Sequence, residues 1–540
     1  MLRKKLREEI KKALKDLNIE GEPFVESSQN LAYGDYSTNV ALVKSKELGK
    51  SAQKVSEELI SKLESQNIEG IDKIGSAGPG FINFWISKDY LQKSAAEIIK
   101  QGEAYGRSGD HKGELASVEF VSANPTGPLH LGNARGGPIG DVLSNVLENV
   151  GYKVTREYLH NDVGGQVKQL GATICSKLEP NKTREEKLWY KGGYIENLSS
   201  KVDKLDRKFS TPRKELSYEE AIERLGKLAV EIMFEEIITD IKQMGIEFDL
   251  VTKESDLREK IPKILEEIKK VIKKKDGALW FAPNDQFLKD RETVIQKSDK
   301  EYTYFASDIV YHKEKFERGK DLVIDVLGAN HAGHLPRLKA AVKALGYDPD
   351  KLKFILYQNV RLKKEDQILK MSKREGEFIT AREVLTEVGR DAFRFFLLSI
   401  RPQTHLDFDS ELAKKRSSDN PVFYIQYANA RISSLFEKVK DVSFEKSDMS
   451  LLLENEELDL LRRIIKFPEL LEDISQNFAV NNLTMYALEL ATLFHKFYET
   501  HKVISEDQEL TKTRLLLLKA TQITLKNTLS VLGISAPDRM

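Results

Sequence analysis

Two short strings hold the residues of this chain best suited to chemistry: Asn124-Pro-Thr-Gly-Pro-Leu-His-Leu-Gly-Asn133 and, far downstream, Lys370-Met-Ser-Lys373. The first sets His130 and Asn133 in a Gly/Pro-rich turn, and the second brackets Met371 with the ammonium groups of Lys370 and Lys373. A turn that opens a helix offers free backbone N–H groups and the positive end of the helix dipole, and both attract phosphate. Gly132 leaves room there for a flat base or ribose to approach. Two loop lysines suit a leaving pyrophosphate. Taken together the strings form an ATP-handling pair. Taken singly, Lys-Met-Ser-Lys is more often a solvated loop, and a histidine in such a turn is as readily a helix cap as a phosphate ligand.

The flanking residues supply the elements that must position this pair. The apolar run Ala116-Ser-Val-Glu-Phe-Val-Ser122 reads as a buried strand. From Ala134 to Val150 the residues Ile139, Val142, Leu143, Val146, Leu147 and Val150 recur at helical spacing. Lys370 to Gly376 has no sustained apolar period and reads as a mobile surface loop. Strand, turn and helix therefore precede a distant basic loop.

On the larger scale the 540 residues suffice for about three or four domains, and 40% apolar content suffices for globular cores. Residues 1–110 carry helical patterns (Leu2 to Leu17, Ala52 to Leu63) and a strand-like Phe81-Ile-Asn-Phe-Trp-Ile86 after the turn Gly78-Pro-Gly80, which predicts a small N-terminal α+β domain. Residues 111–410 alternate strand and helix signals, among them Leu322 to Leu327 and Lys353 to Tyr357, as in an α/β doubly wound parallel sheet, a Rossmann-like catalytic domain with ATP at its switch point. Within it, about 165–275 is charged and mainly helical, which predicts an insertion without another sheet. Residues 411–540 show only helical periods, ending in Leu515 to Leu532 with Gly533 as cap and Pro537 as stop, so an all-helical C-terminal domain is expected.

The 85 basic and 85 acidic residues cancel, which argues against a protein that coats nucleic acid non-specifically. Any RNA contact needs local patches. The candidates are Arg3, Lys4, Lys5, Arg7, Lys11, Lys12 and Lys15 of the first helix, and Lys414-Lys-Arg416, with a solvated helix face as the plainer reading of each. Cys175 is the single cysteine, so an intramolecular disulfide and a multi-cysteine zinc site are both excluded; no protein-held metal site is expected, and a reducing, cytoplasmic setting is. The N-terminus lacks the apolar core of a secretion signal, and no stretch reaches the roughly 18 apolar residues of a membrane span.

His130-Leu-Gly-Asn133 and Lys370-Met-Ser-Lys373 resemble the two signatures of the class I aminoacyl-tRNA synthetases. Four further strings narrow the resemblance to the arginyl-tRNA synthetase family: Gly34-Asp-Tyr-Ser-Thr-Asn39, Glu119-Phe-Val-Ser-Ala-Asn-Pro-Thr-Gly127, Glu301-Tyr-Thr-Tyr-Phe-Ala-Ser-Asp308 and Ala536-Pro-Asp-Arg-Met540. The resemblance implies an arginine–tRNA ligase that activates arginine with ATP, aided by Mg²⁺, and transfers it to the 3′ end of tRNA(Arg), acting as a cytoplasmic monomer without a membrane. It implies catalytic roles for His130, Asn133, Lys370 and Lys373, and an ATP site of Pro125, Gly127, His130, Gly132, Asn133, Met371 and Lys373. For arginine it implies Glu119, Asn124, Tyr304, Asp308 and His331; a guanidinium, always charged and with five donors in a fixed fork, calls for such acidic and planar partners. Tyr304 and Asp308, four apart, share a face if their segment is helical. Asn133 departs from the usual signature, which has a histidine there; an amide donates a hydrogen bond but carries no charge. The resemblance further implies that the N-terminal domain meets the tRNA elbow and the helical domain the anticodon, where Phe423, Tyr424 and Tyr427 offer stacking surfaces or, for at least one of them, core.

Two other readings stand beside this one. A small-molecule adenylyltransferase shares the histidine turn but leaves the helical tail without a use. A non-catalytic tRNA-binding relative has no need of the two lysines and the acidic set.

Overall fold

The computed structural model describes residues 1–28, 30–182, 189–289, 291–364, 367–369, 379–439, 443–444 and 447–540. The chain opens with helix α1 (Leu2–Asp16), in which Leu2, Leu6, Ile10, Ala13 and Leu14 form one buried stripe. It packs beside an antiparallel sheet of four strands, Glu26–Ser27, Tyr36–Thr38, Phe81–Ile86 and Ile71–Ala77 in spatial order. The apolar run from Phe81 is the third of these, as its composition predicts.

Five parallel strands form the next unit: β1 (Leu115–Phe120), β2 (Lys153–His160), β3 (Leu250–Lys253), β4 (Leu322–Gly328) and β5 (Leu352–Tyr357). Their order is β5-β4-β1-β2-β3, and every pairing is parallel. Such a sheet is covered on both faces, so its strands read as near-continuous apolar runs. Val118, Phe120, Val323, Ile324 and Val326 are buried accordingly. Strand order reverses between β1 and β4, which opens a crevice at their carboxyl ends. After β1 come α2 (Leu131–Ala134) and α3 (Gly136–Asn149). Helix α3 places Ile139, Val142, Leu143, Val146 and Leu147 in the core, the residues singled out by their spacing.

Two strands lie within the mainly helical 165–275, and the second of them corrects the expectation that this stretch adds no further sheet. Leu250–Lys253 is β3, the edge of the parallel sheet, only half-buried and flanked by charge, so it has no apolar run to announce it. Ile272–Lys275 starts a separate three-stranded antiparallel sheet with Ala278–Phe281 and Thr293–Gln296. Its hairpin turns on Asp276-Gly277, both at positive φ (51° and 75°), the geometry that favours Asp-Gly between paired strands. The dipeptide was the legible signal, and three consecutive lysines hid the alternation.

Helix α4 (Tyr304–Glu317) leads into β4. Beyond residue 410 every regular element among the described residues is a helix, including α5 (Phe467–Asn477) and α6 (Gln508–Leu532), which ends on Gly533 in the left-handed region as predicted. One apolar cluster runs from α1 through β1 and α3 to α5 and α6.

The first helix corrects the picture of a uniformly solvated basic face. Arg3 lies on the buried stripe, only 2% exposed, and its guanidinium donates to Glu472 and Asp473 at 2.7 Å each and to the Glu469 carbonyl at 3.0 Å. Arg7 also reaches Glu472, while Lys4, Lys5, Lys11 and Lys12 pair with Asp110, Glu69, Glu22 and Glu9. The string Gly34–Asn39 joins the same contact. The Tyr36 hydroxyl donates to Glu469 at 2.7 Å, Lys466 lies 3.1 Å from the Tyr36 ring centre, and Asp35 accepts from the Ile86 amide while facing Arg462. Gly34 is required by its positive φ of 84° and by the Phe84 carbonyl oxygen, which a Cβ would approach to 2.6 Å. Lys414 and Lys415 are likewise paired, with Glu387, Glu411 and Asp419.

Candidate active site

The crevice is built where β1 ends. The strand stops at Phe120, two residues before the predicted Ser122, because Val121 (φ 66°) and Ser122 (φ 36°) turn the backbone through the left-handed region. Such conformations cost of order 1–3 kcal/mol each and persist only where neighbours fix them. Here the Ser122 hydroxyl donates to Glu119 at 2.8 Å and accepts from the Leu159 amide at 3.0 Å. The turn delivers Asn124 to the rim of a cavity of about 700 Å³, lined also by Glu119, Asn133, Tyr304, Asp308 and His331. Six sequence-chosen residues thus meet in one place, of a size that suits a small-molecule site.

Tyr304 and Asp308 sit one turn apart at the start of α4, as their spacing predicts. The Asp308 carboxylate accepts from His334 Nε2 at 2.7 Å, and Asn124 accepts from the Asn161 side chain at 2.6 Å. Glu119, an acidic candidate for the guanidinium, already has a cationic partner. Its second oxygen accepts from Lys315 Nζ at 2.8 Å, and the same ammonium donates to Asp325 at 2.8 Å. Asp325 also faces His312 Nε2 at 2.9 Å. Burial alone would push Lys315 down and Asp325 up; their mutual attraction, with His312 beside Asp325, instead holds the lysine above and the aspartate well below their ordinary ranges. Burial raises the Glu119 carboxyl. His331 is lowered by burial and by the nearby His334.

Gln166, His312, Asp325, His334 and Arg337 also line the cavity and were missed in the sequence, and Lys315 lies behind it. Two signals could have found the buried network. Asp325 is a charge inside the apolar run of β4, and charge is seldom fully buried without a partner. Tyr304, Asp308, His312 and Lys315 follow one another along one stripe of α4.

His130 serves as the cap of α2, its Nδ1 accepting the Asn133 amide at 3.1 Å, so the imidazole proton is on Nε2. Gly132 is buried, and a Cβ there would come within 3.1 Å of the His130 ring, so the missing side chain makes room for that ring. Pro125, Gly127, His130 and Gly132 lie along the same turn but outside the cavity lining. Lys370, Met371 and Lys373 lie outside the described residues. The chain on either side is anchored. Gln367–Leu369 pairs with Val360–Lys364, and Ile379 to Ala381 bonds to the signature itself through Leu131 N to Ile379 O (3.2 Å) and Ala381 N to Leu129 O (2.7 Å).

A second grouping lies on the C-terminal helices. Arg431 stacks 4.6 Å from the Tyr427 ring centre and 4.7 Å from that of Tyr498, beside Arg539 and Met540, around a cavity of about 380 Å³. Tyr427 is exposed, whereas Tyr424 packs on the core and on His495.

Comparison with known proteins agrees with this geometry. Residues 2–86 match the family model of the arginyl-tRNA synthetase N-terminal domain, residues 95–397 that of the class I (R) tRNA synthetase catalytic domain, and residues 425–540 that of the DALR anticodon-binding domain. An arginine–tRNA ligase of a Geobacter species is 42% identical over 529 residues, covering 96% of this chain and 94% of that protein. The chain belongs to the arginyl-tRNA synthetase family. A ligase of the same description from Citrifermentans bemidjiense is also 42% identical, over 531 residues, again 96% of this chain and 94% of the relative. The arginyl-tRNA synthetase structure from Thermus thermophilus shares the fold over 100% of both chains, with a TM-score of 0.82 at 22% identity. The three matched segments of the synthetase family correspond to the α1 sheet unit, the parallel sheet and the terminal helices.

Proposed function

We infer that this chain is an arginine–tRNA ligase: it joins arginine to ATP as arginyl-adenylate, releases pyrophosphate, and transfers the arginyl group to the terminal ribose of tRNA(Arg). The observation that carries this reading is the crevice at the β1/β4 switch point, which unites Tyr304, Asp308, Asn124 and Asn133 in a chain of the arginyl-tRNA synthetase family. No protein nucleophile is needed. The arginine carboxylate attacks the α-phosphorus, and the protein holds reactants in line and offsets charge on phosphate oxygens.

In this proposal Asp308 and Tyr304 receive the guanidinium, with Glu119 contributing from its pair with Lys315, while Asn124 and His331 meet the amino-acid end. Pro125, Gly127, His130, Gly132 and Asn133 form the ATP side, in which capping by His130 fixes the turn and presents the Asn133 side chain to the cavity. Lys370, Met371 and Lys373 complete it. Lys373 lies six residues from the anchor at Ile379, and six residues of chain span at most roughly 20 Å. Mg²⁺ enters with ATP and shields its phosphates. The N-terminal unit meets the tRNA elbow, and Tyr427, Tyr498 and Arg431 stack on unpaired anticodon bases. In the same proposal the enzyme works in the cytoplasm as a monomer.

Pyrophosphate exchange into ATP, run with each amino acid in turn with and without total tRNA, tests the reading. Exchange with arginine, promoted by tRNA, supports it. Exchange with another amino acid, or with a non-amino-acid acceptor, overturns it.

A further inference from the structure

We propose that His312 is a positioning residue for arginine selection, a buried imidazolium that clamps the first turns of α4, bearing Tyr304 and Asp308, onto strand β4. The inference rests on the reading of Asp308 as the guanidinium partner. The ring is 4% exposed. Its Nδ1 lies 2.8 Å from the backbone carbonyl oxygen of Asp308 and its Nε2 2.9 Å from Asp325 Oδ2. A carbonyl only accepts. Asp325 is held as a carboxylate by its 2.8 Å bond from Lys315 and also only accepts. Both ring nitrogens must therefore donate, which requires the protonated ring.

The charged and titratable groups that face the ring are Asp325 from β4 and Asp308, Lys315 and Tyr311 from its own helix, the Tyr311 ring centre 6.1 Å away; His331 and His334 from the turn after β4 line the same cavity. Burial would lower the imidazole and Lys315 opposes its charge, yet Asp325 and Asp308 outweigh both and hold it above its ordinary value. The helix carbonyl of Asp308 thereby gains a charged donor, which ties the pocket's acidic residue to the strand that forms the crevice wall. Charge alternates along the chain His312, Asp325, Lys315, Glu119, and so reaches the Glu119 carboxylate, while the same ring meets Asp308 at its backbone carbonyl. A shift of the first turns of α4 would move Asp308 and Tyr304 together while leaving Asn133 and the histidine turn in place.

The experiment uses the full chain with tRNA present and measures KM for arginine and for ATP in pyrophosphate exchange, for His312→Gln and for Asp308→Asn. His312→Gln should raise KM for arginine about tenfold or more, as expected for losing a bond from a charged donor, with KM for ATP and kcat changed less than about twofold. An arginine KM left unchanged by His312→Gln but raised by Asp308→Asn overturns the positioning role and leaves the pocket reading intact. An unchanged arginine KM in Asp308→Asn overturns both. Equal rises for arginine and ATP in His312→Gln also overturn the proposal, since a merely structural role would give that. In the unsubstituted chain, nitrogen-15 spectra of labelled histidine should show protons on both ring nitrogens of His312 at neutral pH, with the resonance assigned by elimination through substitution of the other histidines. A single ring proton overturns the proposal even if His312→Gln fails to fold.

Discussion

Replacing Arg3 by methionine breaks the contact between the N-terminal unit and the terminal helices without removing any backbone. The guanidinium makes two 2.7 Å bonds to carboxylates and one of 3.0 Å to the Glu469 carbonyl. Cutting one partner from a fully buried ion pair costs about 3–5 kcal/mol. The cost here should be lower, about 2–4 kcal/mol, because Asp473 is 41% exposed and hydrates while Glu472 keeps Arg7. Arg3→Lys should recover only part of it, since an ammonium lacks the fork that serves three acceptors at once. Calorimetric unfolding should show a lowered transition, and tRNA binding should weaken while ATP binding is kept. Excising residues 1–110 would be a poorer test, because Tyr105 packs on Phe467 and the whole α1 stripe belongs to the shared core. A methionine variant with unaltered melting and unaltered tRNA affinity would refute the assignment of this cluster as a joint between the two units.

Asp308→Asn leaves the incoming guanidinium short of one charge and should cost about 3–5 kcal/mol in arginine recognition, read as arginine KM with ATP KM unchanged; equal effects on both would mean that Asp308 only shapes the pocket. Lys373→Ala should slow adenylate formation in single-turnover assays far more than it weakens arginine binding, because pyrophosphate is met as it leaves, and an unchanged rate would remove the loop from the mechanism. Burial lowers Lys466 to about 8, although Glu469 and Asp35 oppose the shift. Between that pH and the ordinary lysine value near 10.4, the unfolded chain binds the extra proton, so stability relative to Lys466→Met should rise with pH across this window by at most about 3 kcal/mol, and parallel stability profiles would contradict it.

The strand, turn and helix around His130 were legible because apolar spacing and Gly/Pro content act over a few residues. The pocket residues Tyr304 and Asp308 were legible because four-residue spacing has one meaning in a helix. What escaped was long-range. Lys315 reads as an ordinary helix lysine until β1 and β4 bring Glu119 and Asp325 to either side of it. Arg3 reads as part of a basic surface until α5 presents three acceptors. The strand β3 was lost because an edge strand is half-buried and carries no run of apolar residues.

The most direct measurement is the identity of the product. The chain is incubated with ATP, all twenty amino acids and total tRNA, and the 3′-terminal adenosine released from each tRNA is weighed by mass spectrometry. The account predicts an arginyl ester, confined to tRNA(Arg). An ester of another amino acid, or an adenylylated small molecule with every tRNA left uncharged, would contradict it.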